Sequence, residues 1–76
     1  MVKYVKLKIS NIDNFCRNMN TLEHSDINVG EGNVVLDAKS LLSLTTLDFT
    51  KDIRVEIITS DERELKLFEE ILERYK

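Results

Sequence analysis

The chain has 76 residues, near the lower size at which an apolar core alone sustains a fold, so it is expected to form a single domain over residues 1–76. Apolar residues make up 42% and charged residues 33%, which argues against disorder. The formal net charge of -3, with no Lys/Arg run able to neutralise a row of phosphates, argues against nucleic acid as a partner.

The N-terminal stretch from Met1 to Ser10 alternates lysines with apolar residues and has no continuous apolar core, so it reads neither as a signal peptide nor as a membrane span. Within it, Val5, Leu7 and Ile9 alternate with Lys6 and Lys8. That period of two predicts a first strand over Lys3 to Ile9, with one side on a core and the other in water.

Ser10 or Asn11 can cap a following helix, and Ser10 with Asp13 makes a short variant of a capping box. Ile12, Phe15, Cys16, Met19 and Leu22 then recur at spacings of three and four, an apolar stripe expected to lie against a sheet. Cys16 is the only cysteine, which excludes an intrachain disulfide and suits a reducing cytoplasm. On the apolar stripe it reads as a small hydrophobe rather than a nucleophile.

Two strands are expected next, Ser25 to Val29 and Asn33 to Asp37, joined as a hairpin through Gly30-Glu31-Gly32. Ser40 to Leu47 reads as a short helix with a serine at its start. Its leucines cannot all face one core: Leu44, with Leu41 beside it, is expected to turn inward, while Leu42 stays partly exposed. Asp48 to Asp52 turns into a last strand carrying Ile53, Val55 and Ile57, which can pair with the first and bring Glu56 near Lys6 or Lys8.

The C-terminal segment is the clearest helix. Ser60 or Asp61 can cap it, Leu65, Phe68, Ile71, Leu72 and Tyr75 form its apolar stripe, and Glu62–Lys66 and Glu70–Arg74 are suitably spaced ion pairs. Asp61, Glu62, Glu64, Glu69, Glu70 and Glu73 read as a solvated acidic face, with no pocket-forming sequence beside them that would suggest acid/base work. The element order is therefore βαββαβα. The class is α+β, an open-faced sandwich in which helices cover one face of an antiparallel four-stranded sheet.

The stretch Leu36 to Asp48, LDAKSLLSLTTLD, completes the pattern. With Ser25-Asp26-Ile27 and the glycine-containing turn before it, it resembles the second half of HPr, the small phosphocarrier of the bacterial sugar phosphotransferase system. The element order is similar to HPr over essentially the whole chain. The resemblance implies an HPr-like, non-enzymatic cytoplasmic protein of bacterial type. In that family a glycine, the phosphoacceptor histidine, an alanine, an arginine and a proline stand at the start of the first helix. The corresponding residues here are Ser10-Asn11-Ile12-Asp13-Asn14-Phe15-Cys16-Arg17, with no histidine and no proline. Arg17 aligns with the family arginine but, lacking the histidine beside it, reads as a solvated surface residue.

Ser40 matches the regulatory serine that a dedicated kinase phosphorylates in low-GC Gram-positive bacteria, and is the candidate regulatory phosphorylation site. A serine at a helix start is also an ordinary N-cap, and the two uses are compatible, because phosphate is favoured at a helix N-terminus and Lys39 would add to the attraction. Lys39, Leu41, Leu42, Thr45 and Leu47 correspond to the surface with which HPr proteins dock enzymes and regulators. His24, the single histidine, reads as a loop residue. Neither spacing nor composition marks a metal site, His24 with Cys16 forming no ligand cluster. Gly30 and Gly32 make no phosphate loop, and no cofactor is implied.

The leading expectation is a regulatory or protein-binding module of the phosphotransferase system without histidine phosphocarrier activity. Its partners would be phosphotransferase-system enzymes, a serine kinase or a transcriptional regulator, with no nucleic acid or membrane, and it would be a monomer or weak dimer. Two alternatives stay open: a phosphotransfer protein modified at Ser40 or His24, and a generic small α/β interaction domain resembling ferredoxin-like modules.

Overall fold

In the computed structural model, which describes residues 1–76, the expected order of elements is found: β1 (Val2–Val5), α1 (Ile12–Asn20), β2 (Asp26–Glu31), β3 (Val34–Asp37), α2 (Leu41–Leu44), β4 (Ile53–Ile58) and α3 (Glu62–Leu72). A last 3-10 turn over Glu73–Tyr75 follows α3. The strands form one antiparallel sheet in the order β1-β4-β2-β3. Its central register sets Val55 opposite both Lys3 and Val29. The chain is an α+β open-faced sandwich.

Period-two patterning decides which side of the sheet is covered. Val5, Ile27, Val29, Ile53, Val55 and Ile57 are buried and join Ile12, Phe15, Cys16 and Met19 of α1 with Phe68, Ile71 and Leu72 of α3 in one core. Phe15 and Tyr75 meet edge to face, their ring centroids 5.3 Å apart. The opposite face is open, with exposed Tyr4 beside Arg54 and exposed Val35 across Gly30.

Three local expectations are revised. β1 ends at Val5 rather than Ile9, because Val5 pairs with Ile53, the first residue of β4. Beyond that point the Lys6 amide donates to the Tyr75 carbonyl at 2.8 Å, so the chain leaves the sheet for the C-terminal turn, and Ile9 is exposed while Leu7 stays buried. Glu56 meets neither Lys6 nor Lys8. It lies opposite Val2 and 3.6 Å from Arg54, while Lys6 pairs with Asp52 at 2.8 Å. On α3 neither expected ion pair forms; Arg63 approaches Asp61 at 3.9 Å and Lys76 pairs with Glu73 at 2.9 Å.

The hairpin is tighter than expected. β2 runs on through Glu31, which pairs with Val34, leaving only Gly32 and Asn33 to make the connection. Gly32 has a φ of +55°, the sign that the first position of a two-residue type II′ turn requires. Gly30 has another reason to be glycine, since a Cβ there would collide with the Val34 carbonyl oxygen.

Candidate functional site at the β3–α2 junction

Asp37 organises the entry to α2. Its Oδ1 accepts from the Lys39 amide at 2.9 Å and its carbonyl accepts from the Ser40 amide at 3.1 Å, a tight turn that swings Ser40 into the N-cap position. Ser40 has extended dihedrals, φ -102° and ψ 106°, and its Oγ accepts from the Ser43 amide at 3.4 Å. That distance is long for such a bond, so the cap is weak.

The helix is one turn long rather than the expected Ser40 to Leu47. The Thr45 and Thr46 hydroxyls donate to the carbonyls of Leu42 and Ser43 at 2.6 and 2.7 Å, competing with the backbone where another turn would have propagated. Leu47 then folds inward. The expected docking surface is redrawn accordingly: Leu42 is 82% and Leu41 41% exposed, whereas Leu44 and Leu47 are buried at 0% and 6%. Leu41 is therefore a surface residue rather than a core one, Leu47 leaves the surface, and Thr45 stays on it, exposed.

Lys39 is half-buried and already engaged. Its Nζ donates to the carbonyls of Leu22 and Ser25, both at 2.7 Å, tying the α1–β2 turn to the β3–α2 junction. The Lys39 carbonyl in turn accepts from Asn20 Nδ2 at 3.1 Å and from the Cys16 thiol at 3.4 Å. The ammonium expected beside Ser40 thus serves buried carbonyls instead.

The start of α1 is built differently. Asn11 occupies the N-cap, but its side chain makes no bond to the helix; Oδ1 accepts from the Lys8 amide at 2.8 Å. The expected Ser10–Asp13 capping box is absent, and Asp13 pairs with exposed Arg17 at 3.2 Å. Along the stripe, burial pushes the Cys16 thiol up from its ordinary pKa, with the negative charge of Asp13 adding to the effect. That keeps it a protonated, unreactive sulfur.

His24 lies beyond the C-terminal end of α1 and is exposed. Its amide donates to both oxygens of Glu64 at 3.1 Å, and the Ser25 hydroxyl donates to Glu64 Oε1 at 2.6 Å. Glu64 is only 7% exposed, so one residue of the expected solvated acidic face is a buried hydrogen-bond acceptor. The spacing held the signal: Glu64, Phe68, Ile71 and Tyr75 continue the apolar stripe backwards by one turn. Asp61 caps α3, accepting from the amides of Arg63 and Glu64 at 2.9 and 3.3 Å. Ligand atoms of His24, Asp61 and Glu64 come within 4.8 Å of one another, a convergence that the spacing of His24 and Cys16 did not suggest.

Four antiparallel strands covered on one face, a serine-capped single turn bearing exposed leucines and a long C-terminal helix define a small open-faced sandwich of the phosphocarrier type. The family model described as PTS HPr component phosphorylation site matches residues 6–75. The chain therefore belongs to the HPr family, whose members are phosphocarrier components of the phosphotransferase system. No curated protein matches it. No helix is long and apolar enough to cross a membrane.

Proposed function

We propose that this chain is a regulatory, protein-binding member of the HPr family that works as a single domain without histidine phosphocarrier activity. The observation that carries the reading is the start of α1, where Asn11, Ile12 and Asp13 stand and no imidazole is available to take a phosphoryl group. The remaining histidine is a poor substitute. A phosphoryl group on His24 would meet the carboxylates of Asp61 and Glu64, and like charges at that range repel.

The working surface in this reading is Leu41, Leu42 and Thr45 beside half-buried Ser40, with phosphotransferase-system enzymes, a serine kinase or a transcriptional regulator as partner. Family membership and the exposure of the two leucines support it. Ser40 phosphorylation would replace the weak hydroxyl cap with a charged one next to that apolar pair, altering what can dock there. The protein would reside in the cytoplasm.

Incubation with phosphoenolpyruvate and the first enzyme of the system should leave the protein's mass unchanged; a phosphohistidine adduct would overturn the reading. Repeating the incubation with ATP and the serine kinase should add one phosphate to the native chain and none to Ser40→Ala.

A further inference from the structure

The meeting of the α1–β2 turn with the start of α3 is not used by the family reading. There an imidazole and two carboxylates, contributed by segments far apart in sequence, place one ligand atom each within 4.8 Å of the others. Ligands of a shared tetrahedral zinc ion stand roughly 3.4 Å apart, so the exposed His24 ring has to move toward the carboxylates when a metal binds.

Both carboxylates are held by hydrogen bonds. Glu64 is held by the His24 amide and the Ser25 hydroxyl, and because each carboxylate oxygen has two lone pairs, these bonds fix its direction while leaving acceptor capacity. Asp61 spends Oδ1 on the cap of α3 and leaves Oδ2 unused by it. The nearest competing cation is Arg63, 3.9 Å from Asp61 with its side chain 92% exposed, where water screens it. The positive end of α3 opposes a cation, but Asp61, Glu62 and Glu64 all sit in or next to its first turn and outweigh that partial charge.

We propose that His24, Asp61 and Glu64 form a binding site for a divalent metal ion of the zinc class, with water completing the coordination. One imidazole with two carboxylates selects borderline ions such as Zn2+ over Mg2+, which prefers oxygen ligands and holds its own water. A metal there joins the α1–β2 turn to α3 through side chains as well as through the existing hydrogen bonds.

Calorimetric titration of tag-free protein with zinc chloride, with magnesium chloride in parallel, tests the site. The expected result is one saturable zinc event per chain, no comparable magnesium event, and a loss of affinity of about tenfold or more in both His24→Ala and Asp61→Asn. His24→Ala removes an exposed side chain and should keep its metal-free circular dichroism spectrum. Should that variant misfold, zinc-induced displacement of the His24 ring resonances in the native chain decides the matter. No saturable zinc binding, equal binding in His24→Ala, equal magnesium binding or an unmoved His24 ring would each overturn the proposal.

Discussion

The starts of α1 and α2 are built on opposite plans. At α1 the polar groups turn backwards and outwards, Asn11 to the Lys8 amide and Asp13 to Arg17, while Ile12 and Phe15 drive into the core and Phe15 abuts Tyr75. At α2 the helix is a single turn with a long cap, yet Leu41 and Leu42 stay in water. The difference separates two uses of apolar side chains. One segment turns its apolar side chains inward; the other, held through Leu44 and Leu47, leaves two leucines on the surface.

If that contrast holds, the largest loss comes from the α1 side. Phe15→Ala removes a fully buried ring and should cost about 3–5 kcal/mol in urea unfolding. A loss under 1 kcal/mol would mean that α1 is not anchored through this residue. Lys39→Met keeps the stem but removes the ammonium from the Ser25 carbonyl and leaves the Leu22 carbonyl only the 3.3 Å bond from the Ser25 amide, for an expected loss of ~1–3 kcal/mol by the same measurement.

Ser40→Ala should cost about 1 kcal/mol or less, because the bond it removes is long and the helix is one turn. Leu42→Ala should leave unfolding within about 0.5 kcal/mol while weakening the partner complex, which an interaction titration would separate from any folding effect. Unchanged partner binding in Leu42→Ala would remove the functional half of the contrast.

The smallest effect is a pH dependence just beyond α2. The Thr50 hydroxyl and amide donate to Asp48 and hold its carboxyl below the ordinary range. A carboxyl depressed by folding contributes stability above its unfolded pKa and loses it as pH falls through the folded value. Asp48→Asn should therefore be slightly less stable than the native chain near neutrality, the gap closing in acid. A gap constant with pH would mean the carboxylate charge plays no part.

Most of this architecture was legible because strand alternation and the α1 and α3 stripes reflect one dominant interaction, burial against a single sheet. The open face followed from the same patterning. The site was less legible, because its decisive contacts join residues distant in sequence. No period reveals that the Lys39 ammonium reaches back to Leu22 and Ser25, or that Glu64 crosses to Ser25. The length of α2 is hidden for a local reason: the Thr45 and Thr46 hydroxyls bond the Leu42 and Ser43 carbonyls, and the Thr46 and Leu47 amides close on Ser43 and Leu44 in tighter turns than a longer helix needs. The stripe through Glu64, Phe68, Ile71 and Tyr75 was available, but a carboxylate at a buried position is the less common reading of such spacing.

The lysines of this protein are chemically unequal because of the clasp at Lys39. Lys3 and Lys8 are exposed, so an acyl group added to them meets water and changes little beyond net charge, and one on Lys6 breaks only an exposed ion pair with Asp52. Acylating Lys39 would remove the cation that two carbonyls share, and loosen the α1–β2 turn and the Ser40 segment together. Amine reagents should therefore label Lys39 last, and a chain that has acquired that label should exchange its amides faster in the turn from Leu22 to Asp26.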